Sequence, residues 1–313
     1  MALGEPASRR RMLVIINPVA SKMNDRIKSL VVYALQGRYD VTTVETQAKG
    51  DGIELSRQAA VDGYDVVLAF GGDGTVNEVA NGLHGTDTAL TCLPGGNNNV
   101  VAKLLGIPTD LVDATEHLLH LADDWAPRSV DLGTVNDRLF TFAAGMGLDA
   151  SVVERVDRNP RLKKRFGPFY YVQCAVTTFL RTYVVNPPRL EVEVDGRTVG
   201  GVSLFVQNAE NYTYFHDRAV PLVEGARFDS GSLAGVVLTR ARPYDVPTVT
   251  FRALSGAARI AKHKGVDAFG DFHEAVVRST DGRTIPIQVD GDHIDDVTEA
   301  RFGILPSALR VIA

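Results

Sequence analysis

Between Val66 and Val79 an unbroken apolar run, Val66 to Phe70, empties into three glycines in four positions, Gly71 Gly72 Asp73 Gly74, and a helical pattern then begins. No stretch constrains the fold more. A short, wholly apolar run reads as a strand buried on both faces, as in a parallel sheet covered by helices. Glycines at its end can take positive φ and let a ligand approach the main chain. The first turn of the following helix offers unpaired N–H groups and the positive end of a dipole, a setting that favours an anion. Asp73 would repel a phosphate there unless a divalent cation or a fixed hydrogen bond stood between them. The turn therefore reads as a site for phosphate plus metal, with a plain strand-to-helix turn capped by Asp or Thr as the alternative. A Walker A loop is excluded because Gly-Lys-Ser/Thr is missing, and a Rossmann fingerprint starting at Gly72 fails at Asn77.

The flanking sequence has the matching rhythm. Leu13 to Ile16, Val41 to Val44 and Leu90 to Leu93 read as further strands; Ile27, Leu30, Val31, Ala34 and Leu35 share a helix face, Ile53 to Val61 forms a second helix, and Val76, Val79, Ala80 and Leu83 line a third. Leu111, Ala114, Leu118 and Leu121 continue the helical spacing. Alternation of this kind implies a parallel sheet with ligands at the carboxyl ends of its strands, where a second glycine turn, Pro94 Gly95 Gly96 Asn97 Asn98 Asn99, also falls. That loop reads either as the opposite wall of a phosphate site or as a run of turn-forming asparagines.

After Trp125 Ala126 Pro127 strands dominate: Val130 to Val135, Leu139 to Ala143, Leu190 to Val194, Val202 to Val206, Leu233 to Leu238, Ala275 to Arg278 and Ile285 to Val289. Asn136 Asp137, Asp195 Gly196 and Asp281 Gly282 read as tight turns between them, with helices over 169–183 and 249–263. The expected fold class is thus α/β plus mostly-β. An N-terminal parallel-sheet nucleotide-binding domain spans 11–130, with the tail 304–313 a candidate to complete it. A C-terminal antiparallel β-sandwich domain spans 131–303, with a cleft between the two.

Length supports two domains, since 313 residues exceed the usual single core. A net charge of -5 argues against a general nucleic-acid binder. Cys92 and Cys174 give neither a disulfide framework nor zinc spacing, so a reducing compartment fits. The arginines before Met12 lead into no secretory apolar segment, and no run has the length of a membrane span. The expectation is a cytoplasmic protein that meets the inner face of a membrane peripherally. Arg158 to Arg165, followed by Phe166, Phe169, Tyr170 and Tyr171, suits an anionic lipid surface and equally a solvated loop leading into a core helix. The histidines lack zinc spacing, and no Gly-x-Ser-x-Gly elbow is present.

Asn17 Pro18 Val19 Ala20 Ser21, then Gly71 to Val79, Pro94 Gly95 Gly96 with Asn99, Asp131 Leu132 Gly133, Asp290 Gly291 and Leu305 to Arg310 follow one another along nearly the whole chain. In this order they resemble the diacylglycerol kinase catalytic-domain family of lipid kinases, which includes bacterial diacylglycerol kinases and sphingoid-base and ceramide kinases. The resemblance implies transfer of the ATP γ-phosphate to a lipid hydroxyl. It assigns ATP to Asn17, Pro18, Val19, Ala20, Ser21, Thr46, Gly72, Asp73, Gly74, Thr75, Val76, Asn77, Glu78, Gly95, Gly96 and Asn97. It assigns the catalytic Mg²⁺ to Asp73 and Asp131 and the general base to Asp292, after the Asp-Gly pair. It gives the lipid to the β-rich domain, with loops such as Gly145 to Ser151 and Tyr212 to Val223 as candidates, and a dimer is common among similar proteins.

Three positions depart from the family pattern: Asn97 replaces Thr, Asp292 replaces Glu, and Ser230 replaces the second Asp of a segment that holds a structural Mg²⁺. At that segment, Arg227, Ser230 and Ser232 are expected to bind the ion weakly or not at all, because a hydroxyl is a poor ligand for a hard cation. Two alternatives accompany the lipid-kinase reading: a pseudokinase or lipid-binding protein of the same fold, and a NAD kinase-like enzyme, since Gly-Gly-Asp-Gly-Thr is shared with NAD kinases.

Overall fold

The computed structural model describes residues 9–20, 25–159, 162, 170–171, 173–215, 218–223, 226–255 and 259–313. Ser21, part of the basic run Arg158–Arg165 with Phe166 and Phe169, and parts of the expected helices over 169–183 and 249–263 lie outside the described residues. The chain forms two compact units, Met1–Ser129 with Leu309–Ala313, and Val130–Ala308.

The first unit alternates β1 (Arg11–Ile16), α1 (Asp25–Leu35), β2 (Asp40–Glu45), α2 (Asp51–Val61), β3 (Val66–Gly71), α3 (Asp73–Leu83), β4 (Ala89–Pro94), α4 (Val100–Leu105) and α5 (Leu111–Leu121). Its strands lie side by side in the order β2-β1-β3-β4, all parallel. The chain end returns to this sheet, where Val311 pairs in parallel with Leu90. Every residue of β3 is buried, as its unbroken apolar spelling requires, whereas the edge strand β2 is partly exposed and carries threonines and acids. In α1 the core stripe is narrower than the spacing implies: Val31 and Leu35 are buried, but Leu30 faces outward at 61% exposure. Asp110 caps α5 by accepting from the N–H groups of Val112 and Asp113.

The second unit is a pair of antiparallel sheets. One contains β5 (Arg128–Val135), β6 (Arg138–Phe140), β8 (Leu190–Val194), β9 (Arg197–Gly201), β15 (Glu274–Ser279) and the first part of β18 (Glu299–Val311). The other has the order β14 (Val266–Phe272), β13 (Leu233–Leu238), β10 (Ser203–Gln207), β7 (Ala143–Met146), β16 (Ile285–Val289), β17 (Asp292–Val297). Apolar side chains from both, among them Phe140, Val192, Val206, Val237, Phe272, Ile287 and Phe302, share one core.

Local turn chemistry explains the hairpins. Asp195 and Gly196, at φ 48° and 77°, join β8 to β9, and Asp290 and Gly291, at φ 49° and 83°, join β16 to β17. Asp281 Gly282 does something else. It connects β15 to β16, which belong to different sheets, so a turn signal between two apolar runs marks a change of layer here. The run Leu139 to Ala143 splits into β6 and β7, because the N–H groups of Thr141, Phe142 and Ala143 all point to the Asp290 carboxylate instead of a ladder partner. The expected loop Gly145 to Ser151 is the end of β7 and the start of α6 (Leu148–Asp157), and the helix over Asp245–Ser255 begins earlier than its apolar spacing suggested.

Candidate active site

In the first unit the described residues assigned to ATP stand just beyond the carboxyl ends of the four parallel strands. Asn17 to Ala20 follow β1, Thr46 follows β2, Gly72 to Glu78 follow β3, and Gly95 to Asn97 follow β4. Asn17 ties two of these loops together. Its main-chain N–H donates to the Phe70 carbonyl at 3.0 Å and its Nδ2 to Thr75 Oγ1 at 3.1 Å, while its Oδ1 accepts from Val19 N–H at 3.1 Å.

The two glycine turns are packed backbone on backbone. Gly95 N–H donates to the Gly71 carbonyl at 2.8 Å. A Cβ on Gly96 would sit 2.7 Å from Gly72 Cα, a contact that only main-chain movement could relieve. Asn99, at φ 48°, closes the second turn by accepting from Gly96 N–H and donating to its carbonyl, both at 2.9 Å. Helix α3 starts at Asp73 with Gly72, which has no side chain to cap it, at the N-cap. Gly72, Asp73 and Gly74 are half-exposed, whereas Thr75, Val76 and Asn77 are buried. Two glycine turns packed backbone on backbone at the start of a helix make an arrangement that main-chain N–H groups can use to approach a phosphate. Gly96→Ala is accordingly expected to weaken ATP binding by about tenfold or more while the fold survives, as read by calorimetric titration.

Several candidate residues also have structural roles. Asp73 Oδ1 accepts from Val101 N–H at 3.1 Å and so holds the start of α4. Asn77 accepts from the Asn81 amide through both its carbonyl, at 2.8 Å, and its Oδ1, at 3.1 Å. Glu78 reaches α2, where its two carboxylate oxygens accept from Gly50 and Gly52 N–H at 2.8 and 3.0 Å and supply the cap that Gly50 lacks. The Asn-Glu continuation of the motif thus joins two helices.

In the second unit Asp131 is buried and its carboxylate works as a clamp. Oδ1 accepts from Ser307 N–H at 2.8 Å and Oδ2 from Gly231 N–H at 2.6 Å. Asn208 Nδ2 bridges the carbonyls of Asp131, at 2.9 Å, and Thr141, at 2.8 Å. Thr141 in turn donates to Asp290 through its N–H at 2.7 Å and its hydroxyl at 2.8 Å, and Phe142 and Ala143 donate at 3.0 and 3.1 Å. Burial lifts the Asp290 carboxyl above the ordinary range, with these four donors pulling the other way. The turn that this carboxylate fixes delivers Asp292, half-exposed, as the first residue of β17. Asn208 and Thr141 are not among the residues that sequence reasoning singles out, and Asp290 enters it only as part of the Asp-Gly pair before Asp292. A turn-forming Asp-Gly was visible, but donors about 150 residues away leave no local trace.

In the segment 227–232 the hydroxyls are engaged within the protein. Ser230 Oγ donates to the carbonyls of Arg227 at 2.9 Å and Ser232 at 3.1 Å, so its hydrogen faces the oxygens a cation would need. Asp229 is engaged by Arg227 at 3.1 Å, and Ser232 Oγ lies 3.2 Å from Asp271 Oδ1. Among the described residues no group of three or more His, Cys, Asp or Glu is arranged to hold a metal. The hydroxyl closes the loop that presents Gly231 N–H to Asp131. Without nucleotide, EDTA or excess Mg²⁺ is therefore expected to move the thermal midpoint by less than about 1 °C; a larger, reversible shift would show a bound structural ion.

A family model described as the diacylglycerol kinase catalytic domain matches residues 11–135. Diacylglycerol kinase of Bacillus subtilis strain 168 is 27% identical over 253 residues, 79% of this chain and 80% of that protein. The enzyme of the same name from Staphylococcus carnosus strain TM300 is 26% identical over 292 residues, 91% and 89% respectively. A protein of Streptococcus pneumoniae serotype 4 that carries a lipid-kinase name is 30% identical over 216 residues, 67% of this chain and 70% of its own. The chain belongs to the diacylglycerol kinase catalytic-domain family. It is a lipid kinase, a phosphotransferase with an alcohol group as acceptor. A crystal structure of a diacylglycerol kinase from Bacillus anthracis Sterne shares the fold, with TM-score 0.72 and 20% identity over 97% of this chain and 96% of that one. A second structure from that strain superposes at TM-score 0.77 with 19% identity over 100% and 98%. Among the described residues of this family member, no helix is long and apolar enough to cross a membrane.

Proposed function

We propose that this lipid kinase uses ATP and Mg²⁺ to phosphorylate the hydroxyl of a diacylglycerol-like lipid, working as a peripheral protein at a membrane face. The observation that supports the nucleotide assignment is the start of α3, where two glycine turns meet backbone to backbone. Gly72 to Gly74, Gly96 and Asn97 would hold the phosphates, and Asn17 to Ala20 with Thr46 would line the rest of the nucleotide. By the family resemblance, the carboxylates of Asp73 and Asp131 would hold Mg²⁺. Bound Mg²⁺ would neutralise charge on the transferred group. Asp292 takes the acceptor's proton as the new O–P bond forms and the bond to ADP breaks. The names of the bacterial relatives favour diacylglycerol over sphingoid and ceramide acceptors.

The test is ATP-dependent phosphorylation in mixed micelles containing diacylglycerol, a sphingoid base or ceramide, with NAD alongside and products read by mass spectrometry. Diacylglycerol is expected to turn over. Turnover of NAD alone would overturn the lipid assignment, and ATP binding without any product would leave a lipid-binding protein of the same fold. Asp73→Asn is the control. An amide oxygen can still accept from Val101 N–H, so the variant is expected to fold normally and lose at least about a hundredfold in kcat by loss of charge. Full activity would remove Asp73 from metal binding.

A further inference from the structure

Gln288 has no part in the chemistry above, yet each polar atom of its amide is engaged. It is 1% exposed. Nε2 donates to Asp149 Oδ2 at 2.7 Å and to Tyr212 Oη at 2.9 Å, and Oε1 accepts from Gly291 N–H at 2.9 Å. The Tyr212 hydroxyl also donates to Asp149 Oδ2, which closes a three-sided contact. These partners come from α6, from the segment before the short strand Thr213–Phe215, and from the β16–β17 turn. With Nε2 facing two acceptors, the amide cannot be turned over without opposing like groups, so Oε1 is committed to Gly291.

What the amide holds is the two-residue turn that leads straight into Asp292. Both turn residues have positive φ. Asp290 is gripped from the other side by the N–H groups of Thr141, Phe142 and Ala143. The β16–β17 register also shifts between Ile287 and Gln288, an irregularity of the kind that re-aims a neighbouring side chain. We propose that Gln288, anchored by Asp149 and Tyr212, is a positioning residue that fixes the Asp290–Gly291 turn and thereby the direction of the Asp292 carboxylate; this rests on Asp292 being the base.

Burial shifts both ionisable members of the anchor toward their neutral forms. Burial raises Asp149 above the ordinary carboxylate range, against the pull of Tyr212 and Gln288. Burial likewise raises the Tyr212 phenol well above its usual value, with Asp149 adding to the effect, so the phenol remains a donor. The other titratable groups acting on this cluster are Tyr183 and Asp290.

Two variants of the full-length protein test the proposal. Gln288→Leu keeps bulk and removes both hydrogen-bonding ends. Hydrogen exchange over residues 285–297 is expected to quicken, kcat per folded molecule to fall roughly a hundredfold, and KM for ATP to stay within about twofold. Gln288→Glu puts a second oxygen against Asp149, a contact that only a shared proton relieves. Its kcat is expected to fall as pH rises past the point where that proton leaves, a limb absent from the wild type. Unchanged exchange in Gln288→Leu, a kcat loss no greater than the loss of folded protein, or a wild-type pH profile in Gln288→Glu would each overturn the assignment. Absence of lipid turnover by the wild type overturns the proposed function instead, and the exchange measurement still reports separately whether Gln288 holds the turn.

Discussion

Asp292→Asn is expected to bind ATP as the wild type does and to lose about 10²–10⁴-fold in kcat, the span typical of a general base removed from a reaction. The residue is half-exposed at the head of β17, so an amide of the same size disturbs no packing; it simply cannot take a proton from the acceptor hydroxyl. Steady-state kinetics with diacylglycerol in mixed micelles, varying each substrate in turn, measure the effect. Asp292→Glu sharpens the test. The family's usual base is one methylene longer, and a displacement of about 1 Å at a reacting group can alter rate about a hundredfold. A faster Glu variant would mark Asp292 as a base short of its best reach, whereas wild-type activity in Asp292→Asn would remove it from the chemistry.

The largest expected effect on stability belongs to its neighbour. Asp290→Ala leaves the buried N–H groups of Thr141, Phe142 and Ala143, together with the Thr141 hydroxyl, without the acceptor they share. Each buried donor left unpaired costs about 1–3 kcal/mol, so the variant is expected to lose about 3–5 kcal/mol once partial rescue by water is allowed. Because the protein has two units, the loss should be read from a probe of the second one, such as hydrogen exchange in β7 and β16, and not from a single whole-protein transition. A loss below about 1 kcal/mol would mean that the 141–143 backbone re-pairs easily. Asp290→Asn should fall between, since one amide oxygen replaces two carboxylate oxygens.

Much of the first unit was legible in the chain because its signals are local. Val66 to Phe70 reads as a strand covered on both sides, and the glycines after it mark the point where β3 gives way to α3. Helix α6 was legible in principle but passed over: Leu148, Val152, Val153 and Val156 are buried at helical spacing, directly behind the short strand Ala143–Met146. Asp281 Gly282 shows the opposite failure, since a turn signal does not say whether the strands it joins will pair. By its residue type alone Ser230 is a poor ligand for a hard cation. That its hydroxyl bridges the carbonyls of Arg227 and Ser232 could be seen only in three dimensions.

The sequence by itself determined the class of fold, the family and the place of the glycine turn after β3, because strand burial, turn residues and motif order all depend on residues within a few positions of one another. Tertiary structure alone decided what the polar residues do. It made Glu78 the cap of α2, Asp131 the clamp on Gly231 and Ser307, and Gln288 the hold on the turn before Asp292. A buried hydrogen-bonding group must find a partner, but the requirement does not say which one. The partner comes from wherever folding brings a donor or acceptor within about 3 Å, and for Asp290 that is a backbone segment some 150 residues earlier in the chain.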